Sequence, residues 1–119
     1  MVPHSQIPGI IQQADIFVNP TMADEGVATT NLETMSCGLC AITTIGYGND
    51  EVISDGKTGF LYPAKEIPVF AGILQKLLKD KALRMQIGTA AGKHILENFD
   101  IRKVTEKYID LYQKCLKNR

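Results

Sequence analysis

Apolar positions along the chain fall into two patterns, short continuous runs and longer stretches with helical spacing. The runs at residues 15–19, 39–44 and 59–62 are too short for ordinary helices, and we interpret them as buried strands. Pro20 and Pro63 end the first and third runs, since proline cannot donate a hydrogen bond to a strand ladder. The pattern therefore predicts three strands.

Outside these three runs, apolar residues recur at helical spacing. Residues 5–14 and 30–37 predict two helices, the first capped by Ser5 and the second ended by Gly38, and residues 50–54 predict one or two helical turns. Beyond residue 63 three apolar stripes predict three consecutive helices, with Asp80 and Asp100 as N-caps of the last two.

This alternation of helix and strand predicts an α/β fold with parallel strands. Parallel sheets are normally covered on both faces and rarely stop at three strands. We therefore expect residues 1–119 to be a single partial domain: a Rossmann-like parallel sheet of about three strands, flanking helices and a helical C-terminal region.

Composition and charge limit where in the cell the protein is expected and which kinds of partner it is expected to bind. The chain has 45% hydrophobic residues, three cysteines, no apolar run of about 20 residues and no evident signal peptide, so a cytoplasmic location is expected. Residues 1–60 hold one basic residue against seven acids, whereas residues 61–119 hold twelve against six. The basic residues are spread along helices without interleaved aromatics, which argues against nucleic-acid binding. Solvated helix faces explain them best, and contact with acidic lipid head groups is the alternative.

The most informative segment is residues 24–33, where a strand-ending loop enters a helix. Helix N-termini favour anions, and Gly26 and Ala28 are small enough for a ligand to approach the backbone. Glu25 and Glu33 can face one pocket and accept hydrogen bonds from sugar hydroxyls. The alternatives are a solvated Glu25 and a capping box in which Glu33 only ties down the backbone of Thr30.

Further motifs surround this segment in a fixed order. They are ADIFVNPT at 14–21, two glutamates seven residues apart, MSCG at 35–38, GYGNDEVI at 46–53, DGKTGFL at 55–61, and NFDI at 98–101 with Tyr112 closing the last helix. Together they resemble glycosyltransferase family 4 over nearly the whole chain.

The resemblance implies part of the C-terminal domain of a GT-B enzyme that transfers a sugar from a nucleotide-sugar, with retention, to a glycan or lipid-linked acceptor. It implies no cofactor and no bound metal. Glu25 would lie beside the donor sugar as the catalytic residue, and Glu33 would hold the ribose. Backbone amides would approach the sugar hydroxyls and diphosphate at Val27, Ala28, Thr29 and Thr30.

Two departures from the family pattern matter. Val27 and Ala28 stand where an aromatic residue and a glycine are frequent, and Cys40 replaces a frequent proline, so the sugar pocket is expected to differ in shape. The family's upstream Arg and Lys and its N-terminal acceptor domain have no counterpart here. We therefore expect the isolated chain to be inactive and to bind nucleotide weakly. We also expect it to self-associate through the edge of its first strand, or to cover that edge with a rearranged first helix. In a longer parent enzyme, peripheral contact with the inner face of the membrane is expected.

Other interpretations remain open. The chain can be a binding or assembly module without activity, or part of a sugar-nucleotide epimerase of GT-B architecture. The Cys37-x-x-Cys40 motif suggests redox or zinc chemistry less than packing, because a helix ends there instead of beginning. His4 and His94 lack a matching ligand or nucleophile pattern and are expected to be ordinary surface residues.

Overall fold

Three parallel strands form the centre of the molecule. The computed structural model describes residues 1–23 and 26–119. The strands are β1 (Ile16–Asn19), β2 (Cys40–Thr44) and β3 (Phe60–Tyr62), in the order β1-β2-β3. Both pairings are parallel, with Ile16 opposite Cys40 and Ile42 opposite Phe60. The predicted α/β fold with about three parallel strands is confirmed.

In the described part of the chain, five α-helices surround the sheet and continue beyond it. They are α1 (Ile7–Ile11), α2 (Thr29–Ser36), α3 (Ile67–Lys79), α4 (Lys81–Asn98) and α5 (Ile101–Lys117), with 3-10 turns at His4–Gln6 and Asn49–Glu51.

Two of the predicted N-caps are confirmed. The carboxylates of Asp80 and Asp100 accept hydrogen bonds from the backbone N–H groups of Leu83 and Arg102, each at 2.9 Å. The predicted Ser5 cap is wrong, because Ser5 lies inside the 3-10 turn and α1 begins after Gln6 without a side-chain cap. Pro8 in the first turn of α1 favours that start instead, since its φ is fixed in the helical range.

Strand β2 is buried on both faces, as expected of a central parallel strand. Ala41 belongs to a cluster with Met35 of α2 and Ile95 of α4. The neighbouring residues of β2, which point to the opposite face, belong to a second cluster that includes Leu77 of α3 and Ile87 of α4. Because α2 and α4 share a cluster with β2, the sheet fixes the position of the α2 helix.

The end of α2 is set by a close backbone crossing. Gly38 has a φ of 75°, so it ends the helix in the left-handed conformation that the sequence predicted. A Cβ atom at Gly88 of α4 would collide with the Gly38 carbonyl oxygen. This contact between two glycines lets α4 lie against the α2–β2 turn and holds the C-terminal end of α2.

Candidate functional site

Two loops meet at the carboxyl ends of β1 and β2, where ligands of open α/β sheets characteristically bind. Gly48, in the loop after β2, has a φ of 81° and lies directly against the loop after β1. A Cβ atom there would stand 2.5 Å from the carbonyl carbon of Gly26 and 2.7 Å from the nitrogen of Val27. Only glycine therefore allows the two loops to approach so closely just ahead of α2.

A buried chain of side-chain amides joins the same elements. Asn19 Nδ2 donates to Asn31 Oδ1 at 3.2 Å, and Asn31 Nδ2 donates to Asn49 Oδ1 at 2.7 Å. Asn49 Nδ2 in turn donates to the Thr44 carbonyl oxygen at 2.9 Å. Asn31 and Asn49 are fully buried. These bonds tie the first turn of α2 to the ends of β1 and β2, so the start of the helix has one fixed position.

The first turn of α2 carries no side-chain cap. Ala28 occupies the N-cap position in an extended conformation, with φ −67° and ψ 121°, and no side chain of residues 1–23 and 26–119 accepts a hydrogen bond there. Thr29 and Thr30 are exposed within the first turn. The first N–H groups of a helix lack intrahelical acceptors, and the helix dipole adds positive potential at that end. This end of α2 is suited to an anion.

The capping-box interpretation of Thr30 and Glu33 is wrong. The helix begins two residues earlier than the box requires, which places Thr30 inside the first turn and leaves Ala28 at the N-cap. Glu33 therefore has no capping role at this terminus.

Glu33 instead faces a small cavity between α2 and the N-terminal turn. Its side chain is 30% exposed, and its Oε1 lies 3.8 Å from Nδ1 of His4. The cavity has a volume of ≈ 70 Å³ and is lined mainly by apolar atoms of α1, together with Ser36 and Cys37. Thr29 and Thr30 precede Glu33 by four and three residues, so all three lie on one side of α2.

Two further residues were predicted to contact the ligand, Val27 and Glu25. Val27 is half-buried and packs against the core cluster of Met35 and Ala41, so only its backbone is available to a ligand. Glu25, predicted to be catalytic, lies outside the described residues.

Sequence reasoning missed two features of this region. His4 is a surface residue as predicted, with its side chain 83% exposed, but its position beside Glu33 was not predicted, and no role was assigned to the asparagines. Their partners lie 29 residues away for His4 and 12 and 18 residues away for Asn31, distances over which side-chain spacing carries no signal.

The chain has three cysteines, and Cys40 of the C-x-x-C motif is not a reactive thiol. All three are free; Cys40 is buried in β2 and Cys37 is half-buried at the end of α2. Burial raises the pKa of Cys40 to about 11, against a smaller opposing effect of Arg84. A thiol with so high a pKa stays protonated at neutral pH and is a poor nucleophile or metal ligand. His94 stacks edge-on against Phe99 with ring centroids 5.7 Å apart, a packing contact.

Within residues 1–23 and 26–119, no group of three or more His, Cys, Asp and Glu side chains is arranged to hold a metal ion. Across the same residues, the helices are all too short or too polar to cross a bilayer.

Comparison with known proteins places these features in a family. The model of the family described as glycosyl transferases group 1 matches residues 1–94. The chain is 31% identical to spore coat protein SA of Bacillus subtilis over 109 residues, which are 91% of this chain and 29% of that protein. It is also 31% identical, over 115 residues, to UDP-Gal:alpha-D-GlcNAc-diphosphoundecaprenol alpha-1,3-galactosyltransferase of Escherichia coli, with 97% and 29% of the two chains covered.

A solved structure shares the fold. The C-terminal domain of a group 1 family glycosyl transferase from Francisella tularensis superimposes with a TM-score of 0.76 and 26% identity, covering 85% of this chain and 51% of that one. The chain spans about 29% of the length of the two curated relatives above. With its family model matched over residues 1–94, the chain belongs to the group 1 glycosyltransferases.

Proposed function

We infer that this chain is the donor-binding part of the C-terminal domain of a retaining glycosyltransferase of family 4 and GT-B architecture. The parent enzyme transfers a sugar from a nucleotide-sugar to a glycan or lipid-linked acceptor in polysaccharide biosynthesis. The support from the relatives is that one of them, the galactosyltransferase of Escherichia coli, is named for a UDP-sugar donor and a diphosphoundecaprenol-linked acceptor.

One observation carries the proposal: Thr29 and Thr30, in the first turn of α2, lie on the same side of the helix as Glu33. That first turn has no side-chain cap among the described residues. Anionic phosphates suit the N–H groups around Ala28 to Thr30, because those groups lack intrahelical acceptors. The Glu33 carboxylate accepts hydrogen bonds from hydroxyls such as those of a ribose. A molecule with a diphosphate beside a ribose satisfies both ends.

We propose a role for each site residue. Glu33 holds the ribose, and the backbone amides of Val27, Ala28, Thr29 and Thr30 hold the diphosphate and the sugar hydroxyls. Glu25 acts beside the donor sugar. The asparagine chain and Gly48 keep the amides in place, since they fix the start of α2 against both loops.

The proposal includes a location and an incomplete site. Free cysteines support a cytoplasmic parent enzyme working near the inner face of the membrane. The cations that stabilise the departing diphosphate and the acceptor site would come from other parts of the parent. The chain alone then binds nucleotide weakly and does not turn over.

An NMR titration of the chain with UDP tests the donor site. The amide signals of residues 26–33 should shift, and uridine, which lacks the diphosphate, should leave those of residues 28–30 nearly unchanged. The variant Glu33→Gln tests the contact with the ribose. Glu97→Gln, on the exposed side of α4, is its matched control. Shifts spread over α3–α5, or equal responses to UDP and uridine at residues 28–30, would contradict the proposal.

The two rival functions are separated by activity. A parent enzyme that transfers sugar to an added acceptor is a transferase. One that only interconverts nucleotide-sugars is an epimerase, and one that binds without turnover is a binding or assembly module.

A further inference from the structure

The turn after β2 holds a bulky residue in the left-handed backbone conformation. Tyr47 has a φ of 54°, between Gly46 at 82° and Gly48 at 81°. The N–H of Asn49 donates to the Gly46 carbonyl oxygen at 2.9 Å, so these four residues close a β-turn whose two central residues both have positive φ. This is a type I′ turn, in which glycine, asparagine and aspartate predominate. A tyrosine at its first central position is strained.

Packing of the core does not account for this strain. Tyr47 is half-buried, yet in the described part of the chain it belongs to neither of the two apolar clusters that cover β2. Strained backbone in a residue that the core does not require is typical of positions that contact a ligand.

The turn that carries Tyr47 has a fixed place beside the loop after β1. Gly48 lies directly against the backbone of Gly26 and Val27. Asn49 is fully buried, and its side chain accepts a hydrogen bond from Asn31 of α2 and donates one to the Thr44 carbonyl oxygen. The contact and the hydrogen bonds hold both ends of the turn, so Tyr47 stays next to the loop that enters α2.

The order of groups along the proposed donor site places the turn at its sugar end, and the present inference rests on that proposed function. Glu33 holds the ribose one turn into α2, and the amides of residues 28–30 hold the diphosphate. The sugar then lies on the side away from Glu33, towards Gly26 and Val27. Gly48 contacts these two residues, so its neighbour Tyr47 borders the sugar and not the ribose.

We propose that Tyr47 contacts the sugar of the donor and is a specificity-determining residue for it. A tyrosine ring packs against the C–H groups of a sugar, while its hydroxyl exchanges hydrogen bonds with sugar hydroxyls. Asparagine at this position relieves the backbone strain but removes both contacts. The cost of the strain in the free protein is offset by a contact that only the bound donor provides.

NMR titrations of the whole chain with UDP, UDP-glucose and UDP-galactose, followed at the amides of residues 26–33, test this. Tyr47→Asn should weaken binding of whichever UDP-sugar the wild type binds more tightly by about fivefold, the loss expected for one aromatic contact. Its affinity for UDP should stay within about twofold of wild type, because the ribose and diphosphate contacts do not involve Tyr47.

A tryptophan reporter tests the contact directly. The chain has no tryptophan, so Tyr47→Trp places a single one in the turn and keeps an aromatic ring there. Its emission should change more on addition of the UDP-sugar than on addition of UDP.

Lys65→Asn is the matched control for Tyr47→Asn. Lys65 also has a positive φ, 71°, but it lies between β3 and α3, one strand further from α2. Both substitutions should keep or raise the melting temperature, since asparagine tolerates the left-handed conformation better than tyrosine or lysine. Only Tyr47→Asn should change the ratio of UDP-sugar affinity to UDP affinity, which relief of strain alone does not alter.

Two results would overturn the role of Tyr47 and leave the donor site standing. One is a Tyr47→Asn chain that binds all three ligands as the wild type does. The other is equal weakening of UDP and UDP-sugar binding, which would show that Tyr47 acts on the nucleotide or on the loop. If residues 26–33 of the wild type respond to none of the three ligands, the proposed function fails, and the role of Tyr47 fails with it.

Discussion

The side-chain amide of Asn31 donates to Oδ1 of Asn49 at 2.7 Å, and both residues are fully buried. Asn31 lies in the first turn of α2 and Asn49 follows β2, so this bond connects the candidate anion site to the central strand. A buried hydrogen bond of this kind holds its elements in one arrangement, because either partner left alone would be an unsatisfied polar group.

Asn31→Ala should lower the free energy of unfolding by about 2–4 kcal/mol. The substitution leaves Oδ1 of Asn49 and the side-chain amide nitrogen of Asn19 without their buried partner. Chemical denaturation measures the loss. The control is Asn98→Ala: that amide is exposed and bonds only within its own helix, so a change below about 0.5 kcal/mol is expected. Equal effects of the two substitutions would show that the amide chain does not stabilise the start of α2.

Gly48→Ala should destabilise the chain more than Gly56→Ala. Both glycines have positive φ, 81° and 73°, so both substitutions introduce similar backbone strain. Only at Gly48 would the new methyl group meet backbone, 2.5 Å from the Gly26 carbonyl carbon, whereas at Gly56 nothing lies within 4 Å. The extra cost should be about 1–3 kcal/mol, measured by thermal or chemical denaturation. The account of the loop contact is wrong if the two variants melt together.

The N-terminus of α5 should fray in acid. The Arg102 guanidinium, with its backbone N–H, lowers the pKa of Asp100 from 3.8 to about 2. A depressed carboxyl pKa stabilises the native state above the unfolded pKa, and that contribution is lost as the pH falls from about 4 towards 2.

NMR Cα shifts of residues 100–104 measured against pH test this. Asp100→Asn keeps a good N-cap but removes the titrating group, so its helix end should change little across the same pH window. A wild-type helix end that is insensitive to pH over that window would contradict the assignment.

Strand β1 should drive self-association. Within residues 1–23 and 26–119 its hydrogen-bonded neighbour is β2 on one side, and Val18 is 37% exposed. Unpaired strand edges bind other strands, and lysine on such strands opposes this. Light scattering should find a concentration-dependent dimer or larger species for the chain, and a monomer for Val18→Lys. A wild-type monomer at all concentrations would refute the prediction.

Local patterns were enough to predict much of the fold. The apolar runs located all three strands, and Asp80, Asp100 and Gly38 were correctly assigned as helix boundaries, since each acts on residues beside it in sequence. Two boundary assignments failed: the Ser5 cap of α1, because Ser5 lies inside the 3-10 turn, and the capping box at the start of α2. There the capping-box signature of Thr30 and Glu33 was overridden by tertiary contacts that begin the helix at Thr29.

The site was predictable only in part. The motif located the loop that enters α2. The asparagine chain, the approach of Gly48 to Gly26, and His4 beside Glu33 depend on distant segments that the parallel sheet brings together, and no periodicity in the sequence encodes them.

We propose that α2 holds a nucleotide through Glu33, and paired titrations with matched melting curves test this in the full-length parent enzyme. Glu33→Ala should weaken nucleotide binding by about 1.5–3 kcal/mol, since it removes hydrogen bonds to a charged acceptor, while the melting temperature stays near that of wild type because Glu33 caps nothing. Glu25→Ala should leave nucleotide affinity nearly intact and lower turnover, because the sugar and its developing charge lie beside that carboxylate. A Glu33→Ala enzyme that melts earlier but binds nucleotide as tightly as wild type would contradict the account.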